Sequence, residues 1–118
     1  MNETKKIYDL EQRTKLFGLA VRDFCRPLKK DIINSVYINQ IIRSSSSIGA
    51  NYIEANDNLG KNDLMMRIRI CKKEAKETIY WLDFLIHEND KIKENLSLEA
   101  NELMLIFGSI LRKLTINN

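Results

Sequence analysis

The sequence predicts an all-α protein that folds as an up-down-up-down four-helix bundle. Apolar residues recur at alternating spacings of three and four positions in four stretches, which places them on one face of a helix in each stretch. The 118 residues include only 4 Gly and 1 Pro, which argues against a loop-rich β-sandwich. The connections are short, so consecutive helices should run antiparallel within one domain covering residues 1–118.

The first helix is predicted over about residues 9–26. Asp9 is a suitable N-cap, and Gln12, three residues later, completes a capping box. Pro27 should end the helix, because proline lacks an N–H and disfavours helical backbone at the residue before it. The residues that share the apolar face are Leu10, Thr14, Phe17, Val21, Phe24 and Leu28.

The second helix is predicted over about residues 34–58 and contains four consecutive serines, Ser44 to Ser47, shortly before Gly49. These residues have low helix propensity, so a loop is one interpretation. We prefer a continuous helix, because the periodic pattern passes through the serines without a change of phase. Small side chains here would let a neighbouring helix approach closely. The pattern consists of Ile38, Ile41, Ser45, Ile48, Tyr52, Ala55 and Leu59.

The third helix is predicted over about residues 63–87 and follows a polar turn. Gly60 suits a backbone position with positive φ, and Asn62 or Asp63 can cap the helix. Its apolar positions have the spacing of three heptads, which is the strongest helical signal in the chain. They are Leu64, Ile68, Cys71, Ala75, Thr78, Leu82 and Leu85.

The fourth helix is predicted over about residues 97–116, after a charged loop, with Ser97 as its cap. Its apolar residues cover most of the helix circumference. They are Leu103, Met104, Leu105, Ile106, Phe107, Ile110, Leu111 and Leu114. A helix in an isolated four-helix bundle buries one stripe, so this wider apolar surface predicts burial against other subunits of a homo-oligomer.

The sequence offers no arrangement of residues for catalysis, cofactor binding or metal binding. The single histidine, His87, argues against a Ser-His-Asp arrangement, the sequence has no Glu-x-x-His pairs for a di-iron site, and no P-loop is present. Cys25 and Cys71 are 46 positions apart without a CxxC motif, so we expect two small buried thiols rather than an unusual pair or metal ligands. The protein is therefore predicted not to be an enzyme and to have no cofactor.

A cytoplasmic location away from membranes is the simplest prediction. The amino-terminal residues have no apolar core like that of a secretory signal. No apolar stretch approaches the roughly 18–20 residues needed to span a bilayer.

A polar stripe on the second helix is the first candidate site. Its members are Arg43, Ser47, Asn51 and Glu54. It is interpreted either as a solvated face or as a buried polar network that fixes helix register or a subunit contact, with a ligand site as the weakest alternative. Besides Glu54, Glu74 and Glu77 of the third helix are candidate acceptors for a buried Arg43, and Arg13 is a candidate member of the network.

Two basic helix faces are candidate nucleic-acid-binding sites. The face on the third helix covers about 100° of arc without an interrupting acid, and Tyr80 shares it and could stack on a base. Each face is interpreted in one of three ways: as a solvated surface that keeps the protein soluble, as a binding surface for phosphates, or as a binding surface for an anionic protein. The third-helix face consists of Arg69, Lys72, Lys73 and Lys76. The first-helix face consists of Lys15, Arg22, Arg26 and Lys29.

Two segments of the chain resemble the signatures of a known family. The run from Arg43 to Ala55, RSSSSIGANYIEA, resembles Arg-Ser-x-x-Ser-Ile-x-x-Asn-x-x-Glu of the bacterial S23 family, the 23S rRNA intervening-sequence proteins. The run from Lys73 to Leu82, KEAKETIYWL, is similar to its second signature and includes Trp81, expected at the core edge or a subunit interface. Ala55 stands where many members have Gly.

The resemblance implies a left-handed up-down bundle that assembles as a homopentamer. Members are encoded in intervening sequences of some bacterial 23S rRNA genes, while others stand alone, and the resemblance does not imply a structural ribosomal protein. A related branch, the accessory variability determinant of diversity-generating retroelements, is a basic pentameric barrel that binds nucleic acid and a reverse transcriptase. No catalytic residues are established for the family.

The sequence therefore predicts a non-enzymatic oligomeric bundle that binds the phosphate backbone of RNA or DNA through its basic helix faces. The alternative is a protein–protein interaction scaffold, with a partner such as a reverse transcriptase and no direct contact with nucleic acid.

Overall fold

The computed structural model describes residues 9–116, which form four α-helices. They are α1 (Leu10–Cys25), α2 (Ile32–Asn56), α3 (Lys61–Leu82) and α4 (Asp90–Ile116). Within this range α1 packs on α2, α2 on α3, α3 on α4, and α4 closes onto α1. The backbones of the diagonal pairs stay further apart, although Tyr52 of α2 and Phe107 of α4 meet across the core with their ring centroids 5.9 Å apart. The all-α four-helix bundle is confirmed, while its left-handed sense stays a prediction. The amino-terminal residues on which the prediction about a secretory signal rests lie outside the described range.

The first two helices begin at aspartate caps. The Gln12 N–H donates to Asp9 Oδ1 (3.1 Å), as the sequence predicts. Asp31 Oδ1 accepts from the Asn34 N–H (2.8 Å), so α2 begins at Ile32, earlier than predicted. The serine run is helical throughout, which confirms the preferred interpretation. Because α2 ends at Asn56, Leu59 lies beyond it and is 95% exposed, so its assignment to the apolar stripe was wrong.

The third helix begins and ends earlier than the sequence predicts. Gly60 adopts a φ of 140° and precedes Lys61, the first residue of α3, so neither Asn62 nor Asp63 is the cap. Asp63 instead accepts a hydrogen bond from the Leu59 N–H (3.0 Å). After Leu82 the chain continues as a turn, but Leu85 remains fully buried. The heptad pattern thus extends past the helix end because it tracks burial rather than helical backbone.

The fourth helix begins seven residues before its predicted start, and the prediction of a loop there was wrong. Asn89 Oδ1 accepts from the backbone N–H of Lys91 (3.0 Å) and of Ile92 (3.2 Å), so Asn89 caps the helix. The predicted cap, Ser97, is half-buried inside α4. The charged residues before Leu96 form solvent-facing turns, and a polar helical turn has the composition of a loop.

The α1–α2 contact depends on small residues, as the serine run predicts. A Cβ atom on Gly18 would lie 3.7 Å from the Ser45 carbonyl oxygen and 3.7 Å from the Ser46 Cα. On α2, a Cβ on Gly49 would lie 3.1 Å from Thr14 Oγ1, which already donates to the Leu10 carbonyl oxygen (2.7 Å). The two backbones therefore approach closely around Thr14, which is 1% exposed.

An arginine of α1 closes the bundle against α4. Arg13 Nε and Nη2 donate to the two carboxylate oxygens of Glu99, each at 2.8 Å, and Nη2 also reaches Glu102 Oε1 at 2.8 Å. The hydrogen bond to Glu99 raises the pKa of Arg13 far above its ordinary value, against the opposing effect of burial. Arg13 thus lies outside the α2 polar stripe, contrary to the sequence-based expectation, and links the first helix to the last.

Two glycine-to-alanine substitutions test the close α1–α2 contact. In Gly49→Ala the new methyl group meets a Thr14 side chain that is buried and hydrogen-bonded, so overpacking outweighs the gain in helix propensity and stability falls by about 1 kcal/mol. In Gly108→Ala the nearest atoms lie at ordinary contact distances of 3.6–3.9 Å, so stability rises by about 0.5–1 kcal/mol. Urea denaturation measures both, and a Gly49→Ala variant as stable as Gly108→Ala would contradict the close contact.

Candidate nucleic-acid interface

Four exposed cations lie along the outer side of α3, a surface we call the α3 basic face: Arg69, Lys72, Lys73 and Lys76. They occupy two helical turns, a length of about 10 Å. Among residues 9–116 none of the four makes an ion pair or side-chain hydrogen bond. Their charges are therefore left for solvent or for a ligand.

The acids of α3 are paired with arginines, two of them with Arg43 of α2, and this leaves the outer face of α3 basic. Arg43 of α2 donates through Nη1 to both oxygens of Glu74 (3.3 Å each) and through Nη2 to Glu77 Oε1 (3.0 Å). Near the start of α3, Asp63 Oδ1 lies 3.7 Å from Arg67 Nε. Only Asp83, just after the helix, is an exposed acid near the carboxyl end of this face.

Arg112 of α4 extends the α3 basic face and was not recognised from the sequence. A Cβ atom on Gly108 would lie 3.6 Å from Arg112 Nη1, 3.8 Å from Lys72 Cε and 3.9 Å from Lys72 Nζ. Both cations therefore lie over the same buried glycine, where α3 meets α4. Spacing within one helix could not reveal this pairing, because it depends on the register between two helices.

The first-helix cations form a separate surface. All four are exposed, but α1 and α3 are diagonal neighbours in the bundle, so the two basic faces of one protomer do not merge. Arg22 and Arg26 both contact the Asp23 carboxylate, at 3.0 Å and 3.4 Å, which partly neutralises the surface. Lys15 and Arg22 also line an apolar groove. Of the two faces, the one on α3 has the less compensated charge.

The polar stripe of α2 divides between two α3 partners. Asn51 Nδ2 donates to Ser47 Oγ (2.9 Å), and Arg67 Nη1 donates to Asn51 Oδ1 (3.1 Å), so Ser47 and Asn51 lie in one network. Arg43 lies in the other, with Glu74. Glu54 is exposed and, within residues 9–116, its side chain contacts none of the other three members. The stripe is thus mainly a contact between two helices of one protomer. Together with its α3 partners Arg67, Glu74 and Glu77 we call it the α2–α3 seam.

An open apolar groove of about 930 Å³ runs between α1 and α2. Among its lining residues, Leu16 is 57%, Ile42 40% and Ile53 53% exposed. On α4, Leu98 and Leu105, one heptad apart, are also largely exposed. These surfaces are larger than isolated apolar side chains, and an extended exposed apolar surface is typical of an interaction site.

Four aromatic rings cluster where α3 ends, beside α2. Tyr80 packs edge-on against Trp81 (centroids 5.0 Å apart) and against Phe84 (4.9 Å), and Tyr37 of α2 contacts Phe84 (4.9 Å). Trp81 is half-buried, and its indole N–H is inaccessible and has no acceptor in the described part of the chain. Tyr80 and Phe84, by contrast, are exposed.

Both cysteines are buried free thiols, which confirms the sequence-based expectation. Burial raises the pKa of Cys25 to about 11 and that of Cys71 to about 12. Residues 9–116 contain no cluster of side chains that would hold a metal ion. None of the four described helices has a stretch long and apolar enough to cross a bilayer.

The sequence profile of the 23S rRNA-intervening sequence protein family matches residues 5–112, most of the chain. The chain belongs to this family. The matched range includes the residues of the α2–α3 seam and of the α3 basic face.

A solved member of the S23 ribosomal protein family has the same fold as this intervening-sequence protein. This relative is a protein of unknown function from Bacteroides thetaiotaomicron VPI-5482 whose crystal structure is known. Its sequence is 26% identical to this chain, and the two structures superpose with a TM-score of 0.77. The alignment covers 91% of this chain and 98% of that one. No curated protein matches the sequence.

The burial of the two thiols predicts that they are inert in the folded protein. At pH 8 both Cys25 and Cys71 are protonated and shielded, so a thiol-reactive disulfide reagent should modify neither on the timescale that modifies a free thiol. In 6 M urea two thiols per chain should react. Rapid modification of either cysteine in the native protein would contradict their placement.

The α2–α3 seam predicts a non-additive pair of substitutions. Arg43→Ala leaves the Glu74 carboxylate, 7% exposed, without its partner and should cost about 2–3 kcal/mol of stability. Adding Glu74→Gln removes the uncompensated charge and should restore part of that loss. Urea denaturation measures both variants. A double variant no more stable than Arg43→Ala alone would show that the carboxylate does not depend on Arg43.

Proposed function

We propose that this intervening-sequence family protein is a non-enzymatic subunit of a homo-oligomer that binds RNA or DNA through the α3 basic face. The observation that carries the proposal is the set of four exposed cations that have no acidic partner among residues 9–116, while Glu74 and Glu77 of the same helix pair with Arg43 of α2. Arg112 adds a fifth cation at the α3–α4 contact.

Such a surface would bind phosphates rather than base edges. Lysine and arginine side chains neutralise the backbone and release its counterions, so affinity should depend little on base sequence and should fall steeply with salt. A net formal charge of +3 gives a single protomer only a modest field. An oligomer that presents several copies of the face to one nucleic acid would gain affinity through multivalency.

The exposed apolar surfaces support self-association. The α1–α2 groove and the α4 residues Leu98 and Leu105 lie on different helices, so one copy could seat its α4 in the groove of the next. Contacts between two different surfaces form a ring when the rotation between neighbouring copies closes. The homopentamer implied by the family resemblance would be such a ring. The proposal requires a cytoplasmic location, where nucleic acid is available, and needs no cofactor.

A protein scaffold is the second candidate function, and the same groove favours it. An apolar channel between two helices suits an amphipathic helix of another protein, such as a reverse transcriptase, as well as a second copy of this chain. In that case the α3 basic face would serve solubility alone.

The test is direct binding of a fluorescently labelled oligonucleotide, measured by anisotropy in about 50 mM salt. The variant Lys72→Ala/Lys73→Ala/Lys76→Ala removes three cations of the α3 basic face and should weaken binding at least about tenfold, because three phosphate contacts are lost. The control Lys15→Ala/Lys29→Ala/Lys91→Ala removes the same number of charges, two of them from the first-helix face that Asp23 partly neutralises, and should weaken binding clearly less than the α3 variant does.

Two results would contradict nucleic-acid binding at this face. One is an absence of binding by the parent protein at low salt, and the other is an equal loss in both triple variants. Purification from cells separates the second candidate: co-purifying nucleic acid supports the first function, whereas a stoichiometric protein partner without nucleic acid supports the scaffold. Circular dichroism and sedimentation of each variant check that fold and assembly are unchanged.

A further inference from the structure

The α3 basic face leads directly to an exposed aromatic ring. Arg69, Lys73, Lys76 and Tyr80 follow one another at spacings of four, three and four residues, so they lie along one line on the surface of α3. From Lys73 to Tyr80 the distance along the helix axis is about 10 Å. Cations and an aromatic ring are thus arranged in sequence on one continuous surface.

The Tyr80 ring is both exposed and supported. Its side chain is 55% exposed, yet the ring is braced by two others, Trp81 at 5.0 Å and Phe84 at 4.9 Å, with interplanar angles of 72° and 60°. Phe84 is in turn held by Tyr37 at 4.9 Å. A ring held in place in this way loses little conformational freedom when a ligand stacks on it.

The buried indole N–H of Trp81 points to a supporting role for that residue. A donor without solvent access cannot bond to a ligand, so the Trp81 indole N–H is not a binding group, and the ring of this half-buried residue supports Tyr80 instead. Asp83 lies on the same side of the chain as Tyr80, about one turn after it. The lysines lie before Tyr80, at the other end of this surface. A bound anion would therefore extend from Tyr80 toward Lys76 and Lys73, away from this carboxylate.

The occupant that fits this surface carries negative charges beside planar apolar rings. A nucleic-acid single strand has both, because its phosphates can contact Lys73 and Lys76 while an unpaired base offers its face to Tyr80. A duplex has the phosphates, but its bases are stacked on each other and their faces are not available. An acidic peptide has the charge but lacks the regular planar rings.

We propose that Tyr80, braced by Trp81 and Phe84, is a stacking site for an unpaired base, and that the protein prefers single-stranded segments of RNA or DNA over duplex. The inference rests on the proposed function, since the phosphates of the same strand are held by the α3 basic face. It adds a class of ligand to that function: nucleic acid with exposed bases.

Binding of a labelled oligothymidylate and of a blunt DNA duplex of equal strand length tests the proposal, with the full chain at fixed salt. The single strand should bind at least about fivefold more tightly than the duplex. Tyr80→Leu, which keeps apolar bulk but no ring, should lower single-strand affinity by about five- to a hundredfold and leave duplex affinity within about twofold. Tyr80→Phe keeps the ring and should bind like the parent protein.

The only tryptophan of the chain, Trp81, provides a second readout because it lies against Tyr80. Its fluorescence should change on titration with the single strand and saturate with the anisotropy signal, and the duplex should leave it unchanged. Thermal unfolding of Tyr80→Leu and Tyr80→Phe checks that the bundle is intact. Because Tyr80 lies largely in solvent, both variants should unfold close to the parent temperature.

The outcomes separate this inference from the proposed function. Equal affinity for single strand and duplex, with both lost in the Lys72/Lys73/Lys76 variant, would overturn base stacking while supporting phosphate binding. Unchanged single-strand affinity in Tyr80→Leu would also overturn it. If no nucleic acid binds at low salt, both proposals fail. A stoichiometric protein partner that is lost in Tyr80→Leu would assign the aromatic cluster to protein docking instead.

Discussion

The pairing of acids across the α2–α3 contact is the interaction on which the rest of the account depends. Glu74 is almost fully buried and accepts hydrogen bonds from Arg43, which also reaches Glu77. A buried carboxylate is costly unless a cation or hydrogen bonds accompany it, so this pair favours the arrangement in which these sides of α2 and α3 meet. Ser44 Oγ and Thr78 Oγ1, 2.9 Å apart in the same interface, add a buried hydrogen bond that depends on the same register.

That register determines the charge of the outer surface. With Glu74 and Glu77 turned toward α2, the cations between them point away, and α3, which has six basic and three acidic side chains, becomes basic on its outer side. The same rotation places Lys72 over Gly108 beside Arg112, and it carries the basic line on to Tyr80. The seam inside the bundle and the surface proposed to bind nucleic acid are therefore two sides of one helix orientation.

Periodicity predicted the fold well because burial repeats with the helix, which is why the serine run around Ser45 could be assigned to a helix. Helix ends were less predictable: the start of α4 depends on the side chain of Asn89, and its charged first turns resemble a loop in composition. The α3 basic face could be predicted because all four of its residues lie on one helix. Arg112 and the placement of Arg13 against Glu99 were not, because they depend on contacts between helices distant in sequence.

The salt dependence of binding tests the central claim that uncompensated α3 cations meet phosphates. A plot of the logarithm of the association constant against the logarithm of salt concentration gives the number of phosphates neutralised. Four α3 cations on one protomer predict a slope of about −3 to −4 for a duplex, and a steeper one if several protomers contact the same molecule. A slope near zero, with measurable binding, would show that the cations of this face do not contact the backbone.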